Sequence, residues 1–332
     1  MRAMILAAGY GTRLWPLTAD RTKPAIPFLG KPLVGYVAEY LAGHGIGEVI
    51  VNLHHRPESV RAALGDGSRF GVRLSYVAEP TILGTSGALD NARHLLGDET
   101  FVVVNGKIVT DIDLTEAIKT HRRTNALATL VLVPNPAREA FSVVETRDGL
   151  VTEFGGMPSV KGGGDPESEE SAKAPLMFTG IHIMEPRIFD YIPRGVFSHS
   201  TTDVYPQAMA KGERIAAHVA AGMWYELSTI PRYLEISLLL LAKQGRDFDA
   251  GEGCEIARGA TVSESILWDR VVVEDGARVH RSILADGVRI KSGEVVEDAV
   301  IVPASLIENE ERPAKALKGE VKGDNFVVPL AR

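Results

Sequence analysis

The chain has 332 residues, a formal net charge of −7 and 45% hydrophobic residues. Such a length gives room for two domains with sizeable cores, and the acidic balance argues against a nucleic-acid-binding surface. A single cysteine, Cys254, excludes an intrachain disulfide and fits a reducing compartment. No charged-then-apolar leader precedes the first strand. The apolar run Leu238–Ala242 is far too short to span a bilayer. The expectation is a soluble, cytoplasmic protein with neither a membrane nor a nucleic-acid partner.

In chain order, short apolar strands are predicted at 3–6, 48–53, 73–77, 101–105 and 128–133. Helical segments lie between them near 33–44, 57–65, 86–96 and 114–123. This alternation implies a Rossmann-like α/β sheet, mainly parallel in this half, with helices on both faces. Ligands bind such sheets at the carboxyl ends of the strands. Residues 141–154 read as a hairpin turning at Asp148-Gly149, and Lys161 to Ala174 as a glycine-rich, acidic surface loop. Regular structure resumes with a strand at 176–184, a helix near 201–211, strands near 214–226 and a helix near 231–244.

Residues 256–302 repeat. Ile256, Val273 and Ile290 are spaced by 17, as are Val262, Val279 and Val296, and Leu267, Leu284 and Ile301. Gly259, Gly276 and Gly293 keep the same interval. The apolar steps within a period are 6, 5 and 6. Such steps match neither a helix nor an amphipathic strand, but they suit a β-helix of hexapeptide-like repeats with apolar residues pointing inward. The expected division is a catalytic domain over 1–245 and a C-terminal β-helix domain with a tail over 246–332. The repeat has a structural or oligomeric role, so a homo-oligomer through the β-helix is a partner expectation.

The most informative stretch is Leu6-Ala7-Ala8-Gly9-Tyr10-Gly11-Thr12-Arg13-Leu14-Trp15-Pro16-Leu17-Thr18, followed by Lys23-Pro24. It begins where the first strand ends. Its glycines let backbone N–H groups approach phosphate oxygens. Arg13 offers a permanently charged fork and Lys23 a second, point-like cation. No Gly-Lys-Ser/Thr follows, so it is not a Walker loop, and the third glycine of a dinucleotide fingerprint is missing. The alternative is a tight strand-to-helix turn with solvated basic residues.

This stretch resembles the signature of the sugar-1-phosphate nucleotidyltransferases, L-x-x-G-x-G-x-R-L-x-P-L-T with a downstream K-P. Leu83-Gly84-Thr85-Ser86-Gly87-Ala88, Val104-Asn105-Gly106, Phe178-Thr179-Gly180-Ile181-His182-Ile183 and Trp224-Tyr225 support the resemblance. It covers residues 1–240 and is nearest to the bacterial mannose-1-phosphate guanylyltransferases, with N-acetylmuramate-1-phosphate uridylyltransferases close by. It implies a mixed-sheet GT-A-like domain, a nucleoside triphosphate and a sugar-1-phosphate as partners, and Mg²⁺ as cofactor. GTP and mannose-1-phosphate are the preferred pair. Leu6, Ala7, Ala8, Gly9, Gly11, Thr12, Arg13 and Asn105 would then hold the nucleotide, and Glu79, Gly84 and Thr85 would meet its base and ribose. Lys23, Thr179 and Gly180 would face the sugar phosphate. Glu79 also reads as a carboxylate before a turn proline, and Gly84 and Gly87 as helix-capping glycines.

The chain departs from the family's pattern at three places. Lys107 stands where a magnesium-binding aspartate is usual after Asn-Gly. Glu226 and Ser228 replace the second aspartate and the glycine of W-x-D-x-G-T, and Gly156-Met157-Pro158 replaces E-K-P. A protonated lysine cannot ligate Mg²⁺ and repels it. Lys107 is therefore read with Arg13 and Lys23 as a catalytic cation on the phosphates, or else as a solvated loop lysine. Glu226 and Asp111 are the candidate metal ligands. Asp113 to Glu116 has the spacing of a capping box. An active transferase is the leading expectation. The alternative is a weakly catalytic paralogue that binds nucleotide or NDP-sugar as a sensor or regulatory subunit.

Overall fold

The computed structural model describes residues 1–135, 139, 141, 143–155 and 174–330. Gly156, Met157, Pro158 and almost all of the loop expected over 161–174 lie outside these. The chain forms two compact units: residues 1–8, 36–54 and 64–224, and residues 9–35, 55–63 and 225–332.

The first unit is built on a nine-stranded sheet. Its strands in chain order are β1 (Ala3–Leu6), β2 (Glu48–Leu53), β3 (Arg73–Ala78), β4 (Phe101–Asn105), β5 (Ala128–Pro134), β6 (Val144–Arg147), β7 (Leu150–Phe154), β8 (Leu176–Met184) and β9 (Ile215–Val219). Their spatial order is β3-β2-β1-β4-β8-β5-β9-β7-β6. β1, β2, β3 and β4 are parallel, as the β-α alternation predicts. β8 runs antiparallel to both β4 and β5, so the sheet is mixed. β6 and β7 form the expected hairpin, and Asp148 and Gly149 both take positive φ (53° and 75°), as a two-residue turn demands.

Helices α1 (Leu33–Gly43) and α2 (Pro57–Leu64) come first in the chain, and α3 (Gly84–Leu96) shows why these segments fold as they do. Ala88, Leu89, Ala92 and Leu96 make one apolar stripe, buried in a cluster with Met4, Ile50, Phe101 and Val103 of the sheet. Helix α4 (Leu114–Thr124) starts at Asp113, whose carboxylate accepts from the Thr115 and Glu116 amides. Only this forward half of the capping box forms, because Glu116 turns to Lys119 at 2.6 Å.

The second unit contains the β-helix. Strands at 249–250, 266–267, 283–284 and 300–301 stack in parallel, each 17 residues from the next. Two further columns run through 255–256, 272–273 and 289–290, and through 261–263, 278–280 and 295–297. Leu267, Leu284, Ile301, Val273, Ile290, Val279 and Val296 are buried, as the repeat predicts. Ile256 and Val262 are not: both lie on the first strand of their columns, Ile256 being 38% exposed and Val262 half-buried. Gly276 and Gly293 occupy positive φ (73° and 71°). Gly259 does not, and is small instead because Asp275 occupies the place a Cβ would take. The strand Asn325–Pro329 pairs antiparallel with Ala299–Pro303 and closes the last coil.

Candidate functional site

In the first unit the expected site residues gather at the carboxyl ends of β1, β2, β3 and β4. Leu6 lies in register with Asn52 on one side and Asn105 on the other. The Ala7 N–H donates to Asn52 Oδ1 at 2.7 Å. Asn52 Nδ2 in turn donates to Glu79 Oε1 at 2.5 Å, and Glu79 Oε2 accepts from the Leu83 N–H at 3.0 Å. Asn52 and Glu79 are both buried. The Ala7 amide, expected among the groups that hold the nucleotide, is thus given to Asn52. Glu79, read as a contact to base or ribose, has each carboxylate oxygen engaged within the protein. Asn52 was missed by sequence reasoning. A signal was present: an amide side chain ending an apolar strand that must be buried on both faces.

Gly84 and Thr85 open α3. Gly84 has φ +75°, and a Cβ there would collide with the Ser198 carbonyl. That carbonyl accepts from the Ser86 and Gly87 amides at 3.0 and 3.3 Å. Thr85 Oγ1 accepts from the Ser200 N–H at 2.9 Å. The two glycines thus have a packing reason, the close approach of the segment ending at Ser200.

On β8, Gly180 has φ +82°, and a side chain there would strike the Asn105 amide group. Asn105 and Gly180 are therefore neighbours. Thr179 is buried, its hydroxyl donating to the Val131 carbonyl at 2.7 Å, and its carbonyl accepting from Trp224 Nε1 at 2.9 Å. The pairing of β8 with β5 slips between Phe178 and His182, which sets Thr179 and Gly180 in a bulge. The Tyr205 hydroxyl and His182 Nδ1 are hydrogen-bonded at 2.6 Å, and complete burial pushes the imidazole down to about 3.

Lys107 is half-buried in the turn after β4. Asp111, read as a metal ligand, uses Oδ1 to accept from the Met223 N–H at 2.5 Å, and it lies so near Gly222 that a Cβ there would sit 2.7 Å away. Its observed work is to fasten the turn leading into Trp224.

In the second unit the two halves of the signature meet. Gly11 has φ +67°, and a Cβ on it would fall 2.8 Å from the Lys23 Cβ. Only glycine permits this approach. Thr18 Oγ1 donates to the Gly11 carbonyl at 3.3 Å, and the Leu14 N–H does so at 2.9 Å. Gly9 is exposed, Thr12 half-exposed, and Arg13 points outward with no ion pair among the described residues. Lys23 is 8% exposed. Glu226 is also buried, and its carbonyl accepts from Arg232 Nε at 2.9 Å.

The magnesium implied by the resemblance can be tested against these donors. Lys107 has no lone pair to offer while protonated, and one Asp111 oxygen already serves a backbone amide. Among the described residues no three His, Cys, Asp or Glu side chains lie together as metal ligands. The residues present do not reproduce the family's pair of aspartates.

Comparison with known proteins matches residues 2–243 to the nucleotidyl transferase family model and residues 247–312 to the GlmU-like C-terminal hexapeptide model. An N-acetylmuramate α-1-phosphate uridylyltransferase of Neisseria meningitidis is 35% identical over 72% of this chain and 98% of its own length. A UTP–glucose-1-phosphate uridylyltransferase of Synechocystis is 33% identical over 82% of this chain and 72% of its own. A mannose-1-phosphate guanylyltransferase of Mycobacterium tuberculosis is 29% identical over 82% and 81%. A Bacillus anthracis crystal structure, described as a putative glucose-1-phosphate thymidylyltransferase with a sucrose, shares the fold. Its TM-score is 0.61 at 22% identity, over 72% of this chain and 94% of that one. The signature loop folded against Lys23, the Asn105–Gly180 neighbours, the coils and these matches agree: the chain belongs to the nucleotidyl transferase family and is a sugar-1-phosphate nucleotidyltransferase.

Proposed function

We propose that the protein joins GTP and mannose-1-phosphate into the NDP-sugar, with release of pyrophosphate. A phosphate oxygen of the sugar-1-phosphate attacks the α-phosphorus. A new P–O bond forms, the bond between the α- and β-phosphates breaks, and pyrophosphate leaves with the electron pair. No covalent nucleophile on the protein is needed; the work is alignment and neutralisation of crowded negative charge. The observation that carries the reading is the Gly11–Lys23 approach. It sets a glycine-opened loop, the outward guanidinium of Arg13 and a buried lysine in one small region suited to a polyphosphate. Thr179, Gly180 and Asn105 are assigned to the sugar-phosphate and nucleotide contacts, and residues 1–245 to the catalytic domain. The β-helix beyond is assigned an oligomer-forming role.

The family generally uses a divalent metal such as Mg²⁺. In this chain we assign Lys107 to neutralise phosphate where the family has an aspartate and its ion. A second choice of substrates, UTP with a glucose- or muramate-type sugar phosphate, is supported by the Synechocystis and Neisseria relatives at 33% and 35% identity. Pyrophosphate release over a panel of nucleoside triphosphates and sugar-1-phosphates, with and without Mg²⁺, tests the proposal. The highest kcat/KM is expected for GTP with mannose-1-phosphate. A panel led by UTP overturns that choice, and a protein that binds nucleotide but turns over no pair is a sensor instead.

A further inference from the structure

Lys23 sits between two clamps, and both belong to the second unit. Two residues before it, the Arg21 guanidinium is gripped by Asp20, with Nε and Nη2 each 2.8 Å from a carboxylate oxygen. Arg21 Nη2 also donates to Asp286 Oδ2 at 2.6 Å, and its carbon Cζ lies 5.2 Å from the centre of the Trp268 ring. Asp286 and Trp268 are β-helix residues. Asp286 is itself fixed, because its other oxygen accepts from the Asp269 N–H at 3.1 Å. The same arrangement recurs one coil earlier, where Asp269 Oδ1 accepts from the Glu252 N–H at 2.9 Å. The corner column 252, 269, 286 is thus a ladder whose last carboxylate turns its free oxygen toward Arg21.

The second clamp lies four residues beyond Lys23. The Tyr233 hydroxyl donates to the Pro27 carbonyl at 2.6 Å and accepts from Trp268 Nε1 at 3.1 Å. The Tyr233 ring meets Phe28 edge-on at 5.7 Å. Trp268 therefore touches both clamps, its ring at Arg21 and its N–H at Tyr233. Between them Lys23–Ala25 makes a single 3-10 turn, and the Thr22 N–H donates to Ser59 Oγ at 3.1 Å.

We propose that the β-helix positions Lys23 for phosphate, and that Arg21, Asp286, Trp268 and Tyr233 are positioning residues for the transfer reaction. This rests on the assignment of Lys23 to the phosphates. Fixing the backbone at both flanks of a short turn leaves its buried lysine fewer ways to move. An ion pair held on three sides, part-buried and pre-oriented by a backbone amide, is the stiff kind. The β-helix thereby acts on the chemistry without contributing a group that touches substrate.

The test is steady-state kinetics of pyrophosphate release together with thermal unfolding on four variants. Asp286→Asn keeps the shape and the acceptor for Asp269 but removes the charge facing Arg21. Arg21→Gln removes the fork from the other side. Arg281→Ala breaks a different β-helix ion pair, with Asp298 at 2.9 Å, and is the control for loss of coil stability alone. Lys23→Ala tests the underlying assignment. Asp286→Asn and Arg21→Gln are each expected to lower kcat at least tenfold at a temperature well below unfolding, with Arg281→Ala unchanged in kcat. Wild-type kcat in both Asp286→Asn and Arg21→Gln, or an equal loss in Arg281→Ala, overturns the positioning role. Full activity in Lys23→Ala overturns the phosphate assignment itself and is seen in that variant alone.

Discussion

The Ala7–Asn52–Glu79–Leu83 relay makes a polarity argument with a sharp consequence. Both ends are backbone N–H donors, those of Ala7 and Leu83. An amide side chain accepts at one atom and donates at the other, so it passes the donor direction along. A carboxylate accepts at both oxygens and ends the relay. One amide and one carboxylate satisfy two donors at the ends, whereas two amides cannot. In Glu79→Gln every orientation of the two side chains leaves one N–H facing another N–H. The site is buried, with Asn52 and Glu79 at 3% and 4% exposure, so the orphaned donor loses its water as well. Leaving such a donor unsatisfied costs about 1–3 kcal/mol, and the charge-assisted bonds lost raise this toward the upper end. Exchanging the two roles restores the relay. In Asn52→Asp with Glu79→Gln, the aspartate accepts from Ala7 and from the glutamine amide, and the glutamine oxygen accepts from Leu83. Denaturant unfolding of the wild type, Glu79→Gln and the double variant measures this. The single variant is expected to lose about 2–3 kcal/mol, and the double variant to recover at least half. A single variant as stable as wild type, or a double variant no better than the single, refutes the assigned polarity.

Arg13→Ala is expected to lower kcat/KM by two to three orders of magnitude, about 3–4 kcal/mol of charge-assisted stabilisation, with an unchanged unfolding curve; near-wild-type turnover removes Arg13 from the site. Lys107→Asp is expected to increase the Mg²⁺ dependence of both nucleotide binding and turnover, followed by calorimetry and pyrophosphate release. Strict Mg²⁺ dependence in the wild type with no change in Lys107→Ala leaves the lysine without a role on phosphate. His182 titrates at about 3 when folded against 6.5 ordinarily, so between these values the unfolded chain binds the extra proton. Stability should therefore fall as the pH drops from 6.5 toward 3, by as much as about 4 kcal/mol. The double variant His182→Phe, Tyr205→Phe should show a shallower decline in unfolding midpoint, and an identical slope would show that other groups carry the acid sensitivity.

Much of the fold was legible because burial leaves a strong trace in composition. Strands β1, β2, β4 and β8 have the predicted ends, since each is an apolar run stopped by small or polar residues. The β-helix was legible because stacking forces one period on several columns at once. Helix α3 begins two residues earlier than predicted. Its Gly84 reads as a helix-capping glycine, yet it opens the helix itself and is required there by the Ser198 backbone approaching from 114 residues away. That distance marks the general boundary. The partners of Glu79, Asp111 and Arg21 lie 27, 112 and 265 residues away, and no local pattern announces them. The motif marked Gly11 and Lys23, which the fold packs together, whereas the backbone duties of Asp111 and Glu79 depend on which loops the fold brings together.

The serines of the coils carry a last consequence. Ser265 Oγ accepts from the Ser282 N–H at 3.1 Å, and Ser282 Oγ accepts from the Ala299 N–H at 3.2 Å. Each coil thus presents to the next the same acceptor that it uses itself, at an offset of 17 residues. The β-helix is in this sense a screw thread of fixed pitch. An insertion of a few residues within a turn strips the thread, because every later serine, glycine and interior valine arrives out of phase. A whole duplicated turn leaves the closing strand Asn325–Pro329 facing the same edge as before. Length in this part of the molecule can change only by complete turns, and a turn added after the Asp286 coil carries the closing strand outward along the axis while leaving the Asp286 corner and Lys23 where they are.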